Sequence, residues 1–184
     1  MAEYSTIISG FGGQGVILAG KVLARSGMEK GLNVTWLPSY GPEMRGGTAN
    51  CTVIISDYLI GSPVVDNPSS LIAFNEPSFD KFSSKVKAGG NILINGSLMD
   101  SKDTSSDIEI TKIDLNEIAK EIGSQKVINM IALGGWIRFN EHLNLDDVKK
   151  GMQLTLKDLG KEAFIDINTN AITEGYERSK EIAV

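Results

Sequence analysis

Cysteine and histidine each occur once in this 184-residue chain, as Cys51 and His142. Two such side chains cannot build a multi-ligand metal site, and a lone cysteine excludes both a disulfide framework and a cysteine-ligated iron–sulfur cluster. Positive charge is also scarce: 18 basic residues against 23 acidic ones leave a net charge of −5. Neutralising a phosphate backbone requires a basic face, so nucleic acid is not an expected partner. No apolar run approaches the length needed to span a membrane, and Met1-Ala2-Glu3-Tyr4 lacks the basic-then-apolar order of a secretory signal. The expectation is a soluble, cytoplasmic protein with no membrane contact. The hydrophobic share is 41% and the charged share 22%, ordinary values for one globular domain covering residues 1–184.

Glycine, by contrast, is plentiful, with 20 residues, and it is concentrated where it matters. In Ser9-Gly10-Phe11-Gly12-Gly13-Gln14-Gly15-Val16 the residues Gly10, Gly12 and Gly15 fall in a G-x-G-x-x-G spacing, with Gly13 as a fourth glycine. A β-branched run at residues 4–8 precedes this stretch, and a helical pattern at 16–30 follows it, stopped by Gly31. Glycines allow a tight strand-to-helix turn and close approach of backbone N–H groups to an anion, to which the helix start adds free donors. Such an element suits a phosphate or diphosphate. A close-packed turn with no ligand fits the same residues.

The remaining chain alternates strand and helix patterns. Strands are expected at 33–37, 48–56, 71–74, 91–95 and, alternating and therefore at an edge, 108–113. Helices are expected at 77–86, 115–122 and 127–139, the last strongly apolar and containing Gly134-Gly135. A further helix begins at Asn144 with acids in its first turn and an apolar stripe of Val148, Met152, Leu156 and Leu159. Asp166 or Asn168 is the expected cap of the last helix, while residues 100–107 read as a polar surface segment. The first two strands and the helix between them look like a β-α-β unit. The predicted architecture is a three-layer α/β/α sandwich with a mostly parallel, Rossmann-like sheet.

A dinucleotide site would place an acidic side chain at the end of the second strand, to bind the ribose. Here that strand runs into Leu37-Pro38-Ser39, and Glu43 comes only later, inside a loop. A nicotinamide-dependent dehydrogenase is therefore disfavoured. The loop itself, Pro38-Ser39-Tyr40-Gly41-Pro42-Glu43-Met44-Arg45-Gly46-Gly47, leaves the carboxyl end of a strand, where α/β proteins bind ligands. Arg45 beside Gly46 and Gly47 could present its guanidinium fork to a phosphate or carboxylate. Glu43 could orient Arg45 or simply brace the loop, and Tyr40 could pack or touch a ligand. Cys51, within an apolar run, reads as a small core residue, as do Trp36 and Trp136; His142 reads as a surface residue in a polar turn.

Two of these stretches, Gly10-Phe11-Gly12-Gly13-Gln14-Gly15-Val16 and Ser39-Tyr40-Gly41-Pro42-Glu43-Met44-Arg45-Gly46-Gly47-Thr48-Ala49, resemble the gamma subunit of 2-oxoacid:ferredoxin oxidoreductases. Weaker matches follow in the family's order at Asn75-Glu76-Pro77-Ser78-Phe79-Asp80-Lys81-Phe82, Gly89-Gly90-Asn91-Ile92-Leu93-Ile94-Asn95 and Asn129-Met130-Ile131-Ala132-Leu133-Gly134, so the likeness covers nearly the whole chain. Glu76 departs from the glutamine of many members.

The resemblance implies one subunit of an enzyme that converts a 2-oxoacid and coenzyme A to acyl-CoA and CO2. Its alpha, beta and delta (ferredoxin-like) subunits would hold thiamine diphosphate with Mg²⁺ and 4Fe–4S clusters, passing electrons to ferredoxin. This chain would supply positioning and anion binding, and would be inactive alone. Its form looks closest to the 2-oxoglutarate type, followed by 2-oxoisovalerate and pyruvate. The expected substrate- or CoA-binding or subunit-interface residues are Gly10, Gly12, Gly13, Gln14, Gly15, Tyr40, Glu43, Arg45, Gly46 and Gly47, with no catalytic residue and no metal ligand. The alternative is a free-standing nucleotide- or CoA-binding module without catalysis.

Overall fold

The computed structural model describes residues 3–40, 48–99 and 107–181. Six strands form one sheet: β1 (Tyr4–Phe11), β2 (Asn33–Tyr40), β3 (Thr48–Ser56), β4 (Ser70–Ala73), β5 (Asn91–Asn95) and β6 (Glu109–Ile113). Their spatial order is β2-β3-β1-β4-β5-β6. β1, β4, β5 and β6 run parallel to their neighbours in that series, and β3 is antiparallel to both β1 and β2.

The expected β-α-β unit is thus modified. β1 and β2 do point the same way, but β3 lies between them. The reason is chain length. Only the seven residues 41–47 separate β2 from β3, and a parallel neighbour needs a crossover of about a dozen residues or more, whereas an antiparallel one does not. β2 also continues through Pro38 to Tyr40, beyond the expected end of the strand. Proline removes an N–H that a central strand would need, and β2 can carry it because it is the sheet's edge.

Side-chain alternation sends each strand's apolar residues to two layers. Ile8, Cys51, Val53, Ile72 and Leu93 face a core built with α1 (Val16–Glu29), α3 (Leu115–Ile122), α4 (Ile128–Trp136), α5 (Leu145–Asp158) and α6 (Ile165–Glu181). Ile7, Leu71, Ala73, Ile92 and Ile94 face the opposite layer, where Phe79 and Phe82 of α2 (Glu76–Phe82) cover them. Among the described residues the two outer layers are therefore very unequal.

Two helix starts follow their expected chemistry. Asn144 and Asp147 form a reciprocal capping box at the head of α5, each backbone N–H reaching the other's side chain at 2.9 Å. At α2, Asn75 caps by accepting from Ser78 N–H at 3.0 Å, with Pro77 in the first turn. The start of α6 differs from expectation. A 3-10 turn at Glu162–Phe164 runs directly into Ile165, and Asn168 already lies inside the helix, donating its Nδ2 to the Phe164 carbonyl at 2.7 Å. His142 also departs from its reading as a surface residue: its side chain is only 10% exposed, with Nδ1 3.8 Å from the Asp57 carboxylate.

α4 and α6 cross at backbone contact. Gly134 of α4 lies against the Ile172 carbonyl, and Gly175 of α6 against the Ile131 carbonyl. Trp136 is fully buried at the end of α4, donating its Nε1–H to Ser70 Oγ at 3.0 Å and meeting Tyr4 edge-on at 5.8 Å. Cys51 is also fully buried, its thiol 3.6 Å from the Val16 carbonyl beneath the first turn of α1. Burial pushes this thiol up to about 12, opposed by contact with Trp36.

Two results should follow for Cys51. Iodoacetamide should leave the native protein unlabelled and modify Cys51 only after denaturation; labelling at the rate of a free thiol in buffer would refute this. The unfolded thiol ionises near 9.0, below the native value. Its contribution to stability is therefore complete below that pH and is lost as pH rises towards 12.

Candidate functional site

The carboxyl ends of β1, β4, β5 and β6 lie along one edge of the sheet, which β2's end and β3's beginning also share. The glycine stretch occupies the centre of this edge, between β1 and α1. Gly10 is the last buried residue of β1, Gly12 is half-buried, and Gly13 is exposed with φ +100°. Gly15, with φ +76°, is the residue immediately before α1. That backbone conformation favours glycine, and a Cβ at Gly15 would also stand 2.5 Å from Asn129 Nδ2. Gly15 is thus needed both for its dihedral angle and for space.

Three amide side chains hold the turn. Gln14 folds back so that its Oε1 accepts from the Phe11 N–H at 2.6 Å and from Asn75 Nδ2 at 3.0 Å. Gln14 N–H in turn donates to the Phe11 carbonyl at 3.1 Å. Asn129, from the first turn of α4, donates its Nδ2 to the Gly15 carbonyl at 3.1 Å. Lower down, Ser9 Oγ donates to Ser78 Oγ at 3.0 Å, and the Phe74 N–H donates to the Ser9 carbonyl at 2.9 Å. The glycine loop is therefore tied to the head of α2 on one side and to the head of α4 on the other.

The head of α1 lacks the side-chain cap that Asn144 gives α5 and Asn75 gives α2. Gly15 supplies no capping side chain, and the first turn contains no acidic residue. The positive end of the helix dipole faces the turn, and among the described residues no side chain caps its free N–H donors. That arrangement suits an anionic group from outside, held by backbone rather than by charged side chains.

Of the residues expected to act here, the structure brings together Gly10, Gly12, Gly13, Gln14 and Gly15. Tyr40 lies at the end of β2 on the same edge. Glu43, Arg45, Gly46 and Gly47 lie outside the described residues; the strands that flank them end and begin beside the glycine loop, with Phe11 paired to Thr48 and Tyr40 to Ala49. Sequence reasoning missed Asn75 and Asn129 as supports of the loop. Asn75 carried a signal, since it stands just ahead of Glu76-Pro77 as a cap would. Asn129 gave only a polar interruption at the head of an apolar helix.

Among the described residues, no group of three histidine, cysteine, aspartate or glutamate side chains converges as a metal site requires. The groups that converge at the glycine turn are backbone donors and amide side chains. What they can do is bind, orient and shield an anion.

The chain has relatives among known proteins. The ketoisovalerate oxidoreductase subunit VorA of Methanothermobacter marburgensis is 37% identical over 174 residues, which is 94% of this chain but 36% of that protein. The chain spans little more than a third of the length of the curated ketoisovalerate relatives it matches. The 2-oxoglutarate synthase subunit KorC of Methanocaldococcus jannaschii is 34% identical over 179 residues, covering 95% of this chain and 93% of KorC. Among solved structures, the keto/oxoacid ferredoxin oxidoreductase gamma subunit of Geobacter sulfurreducens superposes with a TM-score of 0.82 at 29% identity, over 97% of this chain and 99% of that one. The family model for pyruvate ferredoxin/flavodoxin oxidoreductase matches residues 5–178, and the chain belongs to that family.

Proposed function

We propose that this chain is the gamma-type component of a 2-oxoacid:ferredoxin oxidoreductase and that its glycine edge receives an anionic part of coenzyme A or of the oxoacid. The observation carrying the site is the uncapped head of α1, with no acid in its first turn, behind a loop fixed by Gln14, Asn75 and Asn129. In the complete enzyme, thiamine diphosphate with Mg²⁺ would supply the carbanion chemistry, and 4Fe–4S clusters on partner subunits would carry electrons to ferredoxin. This chain's own residues would position the anion and exclude water from it.

The favoured oxoacid is 2-oxoglutarate, supported by likeness to KorC along nearly the full length of both chains. Ketoisovalerate is the second reading, supported by the somewhat higher identity to VorA. Reconstituting the enzyme and comparing kcat/KM for 2-oxoglutarate, 2-oxoisovalerate and pyruvate tests the order. A preference for either of the latter two would reject the favoured assignment.

Arg45 is the proposed side-chain contact to the same anion. Arg45→Ala should cost roughly 10- to 150-fold in kcat/KM, the loss of one charge-assisted contact of about 1.5–3 kcal/mol. Arg45→Lys should recover part of it, keeping charge without the planar fork. If Arg45 serves coenzyme A, the apparent KM for coenzyme A rises while thiamine-dependent decarboxylation survives. If it serves the oxoacid, decarboxylation itself weakens. Unchanged kinetics for both substrates, with a lower melting temperature, would make Arg45 a loop brace and reject the proposed contact.

A further inference from the structure

We propose that a second site, separate from the glycine loop, binds a small amphiphilic anion: an acyl or aryl body carrying a carboxylate. A cavity of about 380 Å³ opens between α1, α5, α6 and the 3-10 turn Gln125–Val127 that leads into α4. Leu18, Val127, Leu156 and Ile167 form its apolar lining, while Lys126 and Lys161 also border it. Val127 and Leu156 are only 2% and 3% exposed, so they form a deep floor, whereas Phe164 at the cavity is 54% exposed.

The charges are one-sided. Both lysines are exposed, and among the described residues neither forms an ion pair. No aspartate or glutamate lines the cavity, although Glu162 and Asp166 stand nearby in the chain. An apolar floor with uncompensated cations at its mouth is complementary to a chain ending in an anion, and the volume lies within the range of small-molecule pockets. The position also bears on the first site, because Val127 lies two residues before Asn129, the support of the Gly15 carbonyl.

The test is a titration of the full ¹⁵N-labelled chain with octanoate, and with octanol as the neutral counterpart, followed by amide shifts. Octanoate should give saturable shifts centred on residues 124–129 and 161–168. Octanol should bind the same residues roughly 2- to 30-fold more weakly, the loss expected for two exposed charge contacts. The double variant Lys126→Gln/Lys161→Gln should reduce octanoate to the octanol level without changing octanol binding. Both lysines are exposed, so the variant should fold, and its unperturbed amide spectrum elsewhere would verify this. Absence of saturable shifts, equal binding of octanol, or octanoate binding unaffected in the double variant would each overturn the proposal. So would strong protection of these amides from hydrogen exchange in the assembled enzyme, because a partner subunit would then occupy the cavity. None of these outcomes depends on the oxoacid activity.

Discussion

Gly175→Ala should lower the melting temperature by roughly 6–12 °C, the shift expected for about 3 kcal/mol in a chain of this size. The added methyl has nowhere to go. It would lie against the Ile131 carbonyl, a backbone atom inside α4 that no rotamer change can move aside. Relief requires α6 to shift away from α4, loosening the contacts around fully buried Ile131 and Ile172. Gly61→Ala is the control, since a Cβ there meets nothing within 4 Å and its backbone is not left-handed; its effect should stay within about 0.5 kcal/mol. Equal melting of the two variants would show that the helices separate without cost, contrary to this packing.

Gly15→Ala should have the largest effect on function. The left-handed backbone costs an alanine about 1–2 kcal/mol. Its Cβ would also meet Asn129 Nδ2, displacing the side chain that holds the Gly15 carbonyl. If the proposed role of the loop is right, the reconstituted enzyme should lose roughly 100-fold in kcat/KM, the scale of a misplacement near 1 Å at a reacting site. Far-UV circular dichroism should remain that of the parent. Asn129→Ala in the same chain removes the two closest collisions, leaving the residue-129 Cβ at 3.1 Å and the backbone strain, so the double variant should regain part of the stability lost by Gly15→Ala. Full catalytic activity in Gly15→Ala would detach the loop from substrate binding.

Local pattern made much of the fold legible. α3 was expected at residues 115–122 and occupies them, because Leu115, Ile118 and Ala119 recur at helical spacing and Gly123 ends the helix in a left-handed conformation. The turn from β1 into α1 was equally plain from its glycines. The antiparallel insertion of β3 was not, since apolar alternation reports which face a residue takes and not which strand lies beside it. Two further features escaped for the same reason. Asn129 meets Gly15 across a separation of 114 residues, and His142 is covered through a contact with Asp57, which belongs to the turn after β3. In the candidate site, the glycines were visible as a motif, while the amide side chains that support them became identifiable only through tertiary proximity.

The crossing of α4 and α6 has a mechanical consequence. Where helices meet through side chains, one can slide past the other by exchanging rotamers. Gly134 and Gly175 leave no such intermediate layer; each helix rests on the other's main chain. The pair should therefore translate and tilt as one beam. Asn129 is at one end of that beam, joined to the Gly15 carbonyl. Any displacement that reaches the glycine turn from this side must carry both helices with it, and the turn is anchored to a strut, not to a hinge.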